Sequence, residues 1–380
     1  MSDPIPGSPP DIELTPQAPI TSGSVPDEVG LRADAPLLEV RGLTVEFPTL
    51  DGVVRAVRGV DFTLAPGDVL AIVGESGSGK SVTSLAIMGL LPKMARVGGS
   101  VRYRGVELVT MPDKAMAHLR GQEIAMVFQD PMTSLNPVHR VGAQIAEAIR
   151  AHHDLSRRAA LRKAVALLDL VGIPQAAERS RNYPHEFSGG MRQRAVIAMA
   201  IANDPEIIIA DEPTTALDVT VQAQILETLS KARQATGAAM ILITHDLGVV
   251  AGAANEVLVM YAGKPVEVGS VDDIFYRPRM PYTVGLLGAM PRLDDPGGGR
   301  LVPVPGSPPS LINLPPGCPF SSRCPLVTAE CLETEPLLES VGPAHRVACH
   351  HRDEVAGLAA DRLGTAAAPA DDVYAPRGSG

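Results

Sequence analysis

Tryptophan is absent from this 380-residue chain, and aromatic residues make up only 3% of it. Few rings are available on which bases could stack, which argues against a single-stranded nucleic-acid platform. Basic charge is short as well: 33 Lys and Arg face 43 Asp and Glu, for a net charge of -10. With no Lys/Arg run to mark a local patch, no nucleic-acid partner is expected. Nor does any stretch reach the ~18 uninterrupted apolar residues that a spanning helix needs. The best candidate, 238–262, is interrupted by His245, Asp246 and Glu256 and reads as strand, helix, strand. The N-terminus lacks a charged-then-apolar secretory signal. A cytosolic chain is expected, one that meets a membrane only through a partner. Cysteine is scarce, and all four lie between Cys318 and Cys349. In a reducing compartment that grouping suggests metal or cluster ligation more than disulfides.

What is present is organised. Residues 1–36 are rich in Pro, Ser and Asp without apolar periodicity and read as a disordered leader; 353–380 reads as a disordered tail. Between them, Leu37–Phe47 and Val53–Leu64 alternate as half-buried strands do. Val69–Val73, Ile124–Phe128, Ile207–Ala210 and Met240–Thr244 are short apolar runs of the buried parallel kind. Helical spacing is expected from Lys80 to about Leu91. It recurs in Arg157–Val171, where Ser156 can cap, and in Val219–Ala232 after Asp218. The pattern is α/β with a parallel sheet. A Pro- and Gly-rich stretch, Pro291–Gly317, separates this domain (37–290) from a small irregular cysteine-bearing module within 291–352.

Gly74-Glu75-Ser76-Gly77-Ser78-Gly79-Lys80-Ser81 satisfies the phosphate-loop pattern between a buried strand and a helix, the context such a loop requires. Glycines let backbone N–H groups crowd around phosphates, and the helix N-terminus adds partial positive charge. Lys80 is placed to reach the β- and γ-phosphates of ATP, and the Ser81 hydroxyl to ligate Mg²⁺. Ile207–Glu212 is an apolar strand ending in two carboxylates. By itself that is a common solvated strand end. About 130 residues after a phosphate loop it is the second half of a nucleotide site, with Asp211 holding Mg²⁺ and Glu212 polarising the attacking water.

Phe187-Ser-Gly-Gly-Met-Arg-Gln-Arg194 supplies a second Gly-rich helix start, and here the sequence resembles the ABC ATPase family. The resemblance implies a P-loop cassette: a parallel-sheet core, an antiparallel β subdomain and a helical subdomain carrying the signature. Ser188, Gly189, Gly190 and Met191 match that signature, which faces ATP bound by an opposite cassette. Gln129 matches the loop that senses the γ-phosphate and helps hold Mg²⁺. Asp218, closing Thr215–Asp218, matches the segment that crosses the dimer interface. His245 matches the switch histidine. Phe47 fits the aromatic that stacks on adenine, although a core Phe on that strand would look the same. Phe187 and Met191 stand where the family more often has Leu and Gln, a variant typical of peptide and nickel importers.

The resemblance narrows to the oligopeptide/dipeptide importer subfamily through Phe128–Pro137, Ala210–Gln224, Pro281–Leu287, Pro316–Cys324 and His345–Cys349. It covers roughly 37–352. It implies an ATP hydrolase that energises di- or oligopeptide uptake, or uptake of nickel or another small solute. The implied partners are a second ABC ATPase subunit, forming a heterodimer, two transmembrane permease subunits and an extracytoplasmic substrate-binding protein. The implied location is the cytoplasmic face of the membrane. A non-transport ABC ATPase acting on nucleic acid is disfavoured: ~110 residues with Pro and Gly throughout separate loop and signature, leaving no room for a coiled coil. Cys318, Cys324, Cys331 and Cys349 lack the paired spacing of most structural zinc sites. Their spacing leaves zinc, packed thiols and a [4Fe–4S] cluster open; the resemblance implies the cluster. With little core of its own, the module is expected to loosen without much effect on nucleotide binding.

Overall fold

Val69–Val73 (β3), apolar throughout, is buried along its whole length, as a strand covered on both faces must be. The same holds for Ile124–Val127 (β6), Ile207–Asp211 (β7) and Ala239–Thr244 (β8). With Glu256–Tyr261 (β9) these run parallel in the order β9-β3-β8-β7-β6. Lys264–Ser270 (β10) continues the sheet antiparallel to β9. The alternating segments form a second, antiparallel sheet: Gly52–Leu64 (β2), Leu38–Thr49 (β1), Arg96–Tyr103 (β4) and Val106–Glu107 (β5), in that spatial order.

The computed structural model of the chain describes residues 32, 35–215, 217–290 and 304–356. The leader expected over 1–36 lies almost entirely outside the described residues, as do residues 291–303 and 357–380.

The two-residue period of a strand sorts side chains between layers. Ile207, Ile209, Ile241 and Ile243 face the antiparallel sheet and join Leu38, Val45 and Val60 in one core. Ile208, Ala210, Met240 and Leu242 face a helical layer with Ile145, Leu168, Val196 and Ile225. That layer contains Val141–His152, Arg157–Leu170, Gly189–Ala200 and Val219–Thr236. Three of its helices start on side-chain caps that relieve unpaired N–H groups: Ser156, Ser188 and Asp218 accept from Ala159, Met191 and Val221. The helix after β3 runs Lys80–Ile87, a turn shorter than its apolar spacing suggests. Gly89 turns left-handed at φ 60°, and the Leu90 N–H reaches back to the Leu85 carbonyl at 2.9 Å, a glycine stop.

The cysteine-bearing segment is not set apart from this body. Arg346–Val347 (β12) pairs with β10, and Glu339–Ser340 (β11) pairs with β12, extending the main sheet. Cys318, Phe320, Cys331, Val347 and Cys349 share a core with Val73, Val257, Val259 and Tyr261. Glu267 on β10 is fully buried, and His345 Nε2 lies 2.8 Å from its Oε1. Among the described residues no helix is long and apolar enough to cross a membrane.

Candidate functional site: a phosphate loop at the carboxyl ends of the strands

β3 ends at Val73 and the phosphate loop begins. A Cβ on Gly74 would sit 2.3 Å from the Met260 carbonyl oxygen. One on Gly79, where φ is +103°, would sit 2.4 Å from that of Ala56. Only glycine passes through either position. The turn after β9 braces the loop, with Gly263 N–H donating to Ser78 O at 3.0 Å. Within the loop, Lys80 Nζ donates to the Gly74 and Glu75 carbonyls at 2.8 and 3.0 Å. Among the described residues the buried Ser78 hydroxyl has no partner, an orphaned polar atom of the kind a ligand would satisfy. Gly77 is left-handed, and Ser76 is exposed on the loop's crest.

The carboxyl ends of β6, β7 and β8 deliver the remaining groups to this point. Ser81 Oγ donates to Asp211 Oδ1 at 2.9 Å. These two oxygens beside a phosphate cradle are the hard donors a magnesium ion takes. Glu212 Oε2 accepts from Gln129 Nε2 at 3.0 Å and from Thr215 Oγ1 at 2.9 Å, and its other oxygen lies 3.7 Å from Lys80 Nζ. His245 Nδ1 is 3.6 Å from Glu212 Oε2, an ion pair's separation rather than a hydrogen bond's. Glu212 itself sits at φ +45°, an uncommon conformation for a residue with a side chain. The strained backbone turns this carboxylate toward Lys80 and Gln129 while Asp211 stays on Ser81.

Electrostatics separates the two acids. Burial lifts the Asp211 carboxyl above its usual range, whereas Glu212 is pulled to about 2 by His245, then by Thr215 and Lys80, against its burial. Burial also lowers Lys80, although Glu212 and Asp211 oppose the shift. Glu212 raises His245 in turn. Adjacent carboxylates pushed in opposite directions are suited to different tasks.

Not every expected residue meets here. The helix starting at Gly189 packs on the helices at 141–152, 157–170 and 219–236. Its first glycines lie against the next helix start: a Cβ on Gly190 would be 2.8 Å from Val221, and one on Gly189 3.4 Å from Leu217. Ser188 caps that helix by accepting from Met191 N–H at 3.3 Å, and Asp218 caps its neighbour. Phe47 is half-buried on β1, opposite Val54 of β2 and against the core beneath that sheet.

The sequence reading missed three contacts. Thr215 supports Glu212, the Tyr282 hydroxyl accepts from Glu75 N–H at 2.8 Å, and Arg323 grips the Glu75 carboxylate. An acid inside a phosphate loop was the available signal, since it calls for a nearby cation.

The ABC transporter family model matches residues 57–215, and the model for the oligopeptide/dipeptide transporter C-terminal region matches 266–331. The oligopeptide transport ATP-binding protein OppD of Salmonella typhimurium is 52% identical over 313 residues, spanning 82% of this chain and 93% of that protein. The chain belongs to the ABC transporter family, in its oligopeptide/dipeptide branch. The dipeptide transport ATP-binding protein DppD of Bacillus subtilis is 52% identical over 320 residues, 84% of this chain and 95% of that one. OppD of Mycobacterium tuberculosis is 58% identical over 340 residues, 88% of this chain, and this chain spans 56% of its length. Among solved structures, the ATP-binding cassette MJ0796 in a dimeric post-hydrolysis state with ADP and Pi superposes with a TM-score of 0.55 at 24% identity. It covers 62% of this chain and 98% of its own, a likeness of fold. CbiO1 of Clostridium perfringens, part of the transporter complex cbiONQ, gives 0.54 at 26%, covering 63% and 90%. The ABC cassette in this chain thus has its phosphate loop, paired acids and histidine assembled at one end of the parallel sheet.

Proposed function

We propose that this chain hydrolyses ATP to drive uptake of di- or oligopeptides, working from the cytoplasmic face of a membrane. The observation that carries the proposal is the convergence of Lys80, Ser81, Gln129, Asp211, Glu212 and His245 on one phosphate loop. The names of the relatives support the peptide cargo.

Lys80 exchanges its carbonyl partners for β- and γ-phosphate oxygens. Ser81, Asp211 and Gln129 would hold a magnesium ion, which would supply charge neutralisation at the phosphates. Glu212 orients and deprotonates the attacking water. Gln129 and Thr215 occupy the oxygen nearest His245, which leaves the oxygen beside Lys80 for the water. His245, drawn to Glu212 here, turns to the γ-phosphate, and Phe47 stacks on the adenine.

Gly189 and Gly190 lie against Leu217 and Val221; the family resemblance assigns the helix start of Ser188, Gly189, Gly190 and Met191 to the nucleotide of a second cassette, with Asp218 at the seam. The partners that the family resemblance implies are a second ATPase subunit in a heterodimer, two permease subunits that dock near Gln129, and an extracytoplasmic binding protein. Turnover by the chain alone should be low and should rise on adding the sister cassette and permeases. Full activity from a dilute monomer would overturn the composite site. Competition between peptides and nickel for uptake by the assembled system tests the cargo.

We further propose that Cys318, Cys324, Cys331 and Cys349 hold a [4Fe–4S] cluster. The thiols lie within electrostatic reach of one another, and burial raises Cys318, Cys324 (to about 11) and Cys349 (to about 12). Cys318, Cys331 and Cys349 are buried and share one core with half-buried Cys324. Among the described residues no three His, Cys, Asp or Glu side chains are close enough to grip one metal ion. Anaerobically purified protein should be brown with about four iron and four sulfide per chain. Colourless protein with one zinc, or with no metal, would end the proposal.

A further inference from the structure

Glu75 is an anomaly in a loop proposed to hold a polyphosphate, because its carboxylate adds negative charge where negative charge must bind. The structure answers it from 248 residues away. Arg323 Nη1 and Nη2 donate to the two Glu75 carboxylate oxygens at 2.6 and 2.9 Å, a fork-to-fork pair. The Arg323 side chain is 2% exposed. Its other donors are used by the Pro305 and Val304 carbonyls at 2.6 and 3.1 Å and by the Tyr261 hydroxyl at 3.2 Å. The guanidinium lies over the Tyr261 and Phe320 rings, 5.8 and 5.7 Å from their centroids. Those rings and Tyr282 form a mutually packed cluster, and Tyr282 accepts from the Glu75 N–H. Glu75 is thus held at its backbone N–H, its carbonyl and its carboxylate. Two of those three holds come from residues within the C-terminal region, 266–331.

We infer that Arg323 is a positioning residue of the nucleotide site, contributed by the cysteine-bearing segment to neutralise and fix Glu75 so that the phosphate loop accepts a nucleoside triphosphate. The inference rests on the nucleotide reading of that loop. It revises the expectation that loosening the module would spare nucleotide binding. Arg323 directly precedes Cys324, so whatever orders or releases that segment also sets the charge of the loop.

The test is nucleotide titration of the full-length protein carrying Arg323→Met, Glu75→Gln or both, with ATP, ADP and adenosine as ligands. One unit charge about 10 Å from a polyphosphate, at an effective dielectric of about 20, changes affinity on the order of tenfold. Arg323→Met should therefore weaken ATP about tenfold, ADP less and adenosine not at all. Glu75→Gln leaves the cation without its acid and should tighten ATP severalfold. The double variant should bind near the wild-type level. Arg323→Lys keeps the charge without the fork and should fall between wild type and Arg323→Met, covering the case in which the methionine variant does not fold. Wild-type ATP affinity in Arg323→Met would overturn the inference, as would weakening in all three variants with adenosine affected equally. Wild-type protein that binds no ATP would instead overturn the nucleotide reading.

Discussion

The phosphate loop and the cysteine-bearing segment arrive at Glu75 by opposite routes. The loop is built from eight contiguous residues whose backbone does most of the work, and it stands on a strand and a helix that are its immediate neighbours. The C-terminal segment contributes a single side chain, Arg323, beside Tyr282 of the preceding domain, and both are held by a core assembled from three distant parts of the chain. A site made of backbone tolerates little change at its glycines but leaves a readable pattern. One completed by long-range side chains leaves almost none. The two regions should accordingly fail differently when altered.

The largest effect is expected at the chemical step. Glu212→Gln should retain ATP binding while steady-state hydrolysis by the assembled transporter falls about 10²-fold or more, the scale of a removed general base. Turnover near wild type would remove Glu212 from the mechanism. Lys80→Ala should come next, lowering nucleotide affinity by an order of magnitude or more, since it deletes the buried cation facing the phosphates. Isothermal titration of the full chain measures this.

The other side of the comparison is probed through stability. His345→Ala removes the side chain paired with fully buried Glu267, whose remaining donors are the Arg279 and Met280 N–H groups at 2.6 and 3.2 Å. A cost of about 2–3 kcal/mol is expected, read as a lower unfolding midpoint. If the midpoint were unchanged, the tie between β10 and the C-terminal segment would carry no weight. The smallest effect belongs to Tyr282→Phe, which deprives the Glu75 N–H of its acceptor while the ring keeps its packing. About 1 kcal/mol is expected, seen as a severalfold loss of ATP affinity.

How far the sequence could be read follows the same division. Val69–Val73 is bounded as its apolar run suggests, and Ser156 and Asp218 cap the helices expected of them. The helix after the phosphate loop was overextended because apolar spacing continues past Gly89 while the backbone does not. The meeting of Lys80, Asp211, Glu212 and His245 was foreseeable from motif resemblance alone. The Gln129 and Thr215 hydrogen bonds to Glu212, and that residue's left-handed backbone, were not.

By itself the sequence determined the layered α/β domain, the phosphate loop and the order along the chain of the residues that meet there. These depend on local rules: strand and helix periodicity, capping, and the need for glycine where backbone meets backbone. Only the tertiary structure decided that the C-terminal segment reaches Glu75 of the phosphate loop. Pairing β12 with β10, burying Glu267 against His345 and setting Arg323 over Tyr261 and Phe320 are contacts between residues far apart in sequence. Their energy comes from desolvation and charge pairing in a shared core, and no local pattern of residues encodes which distant partner will be there.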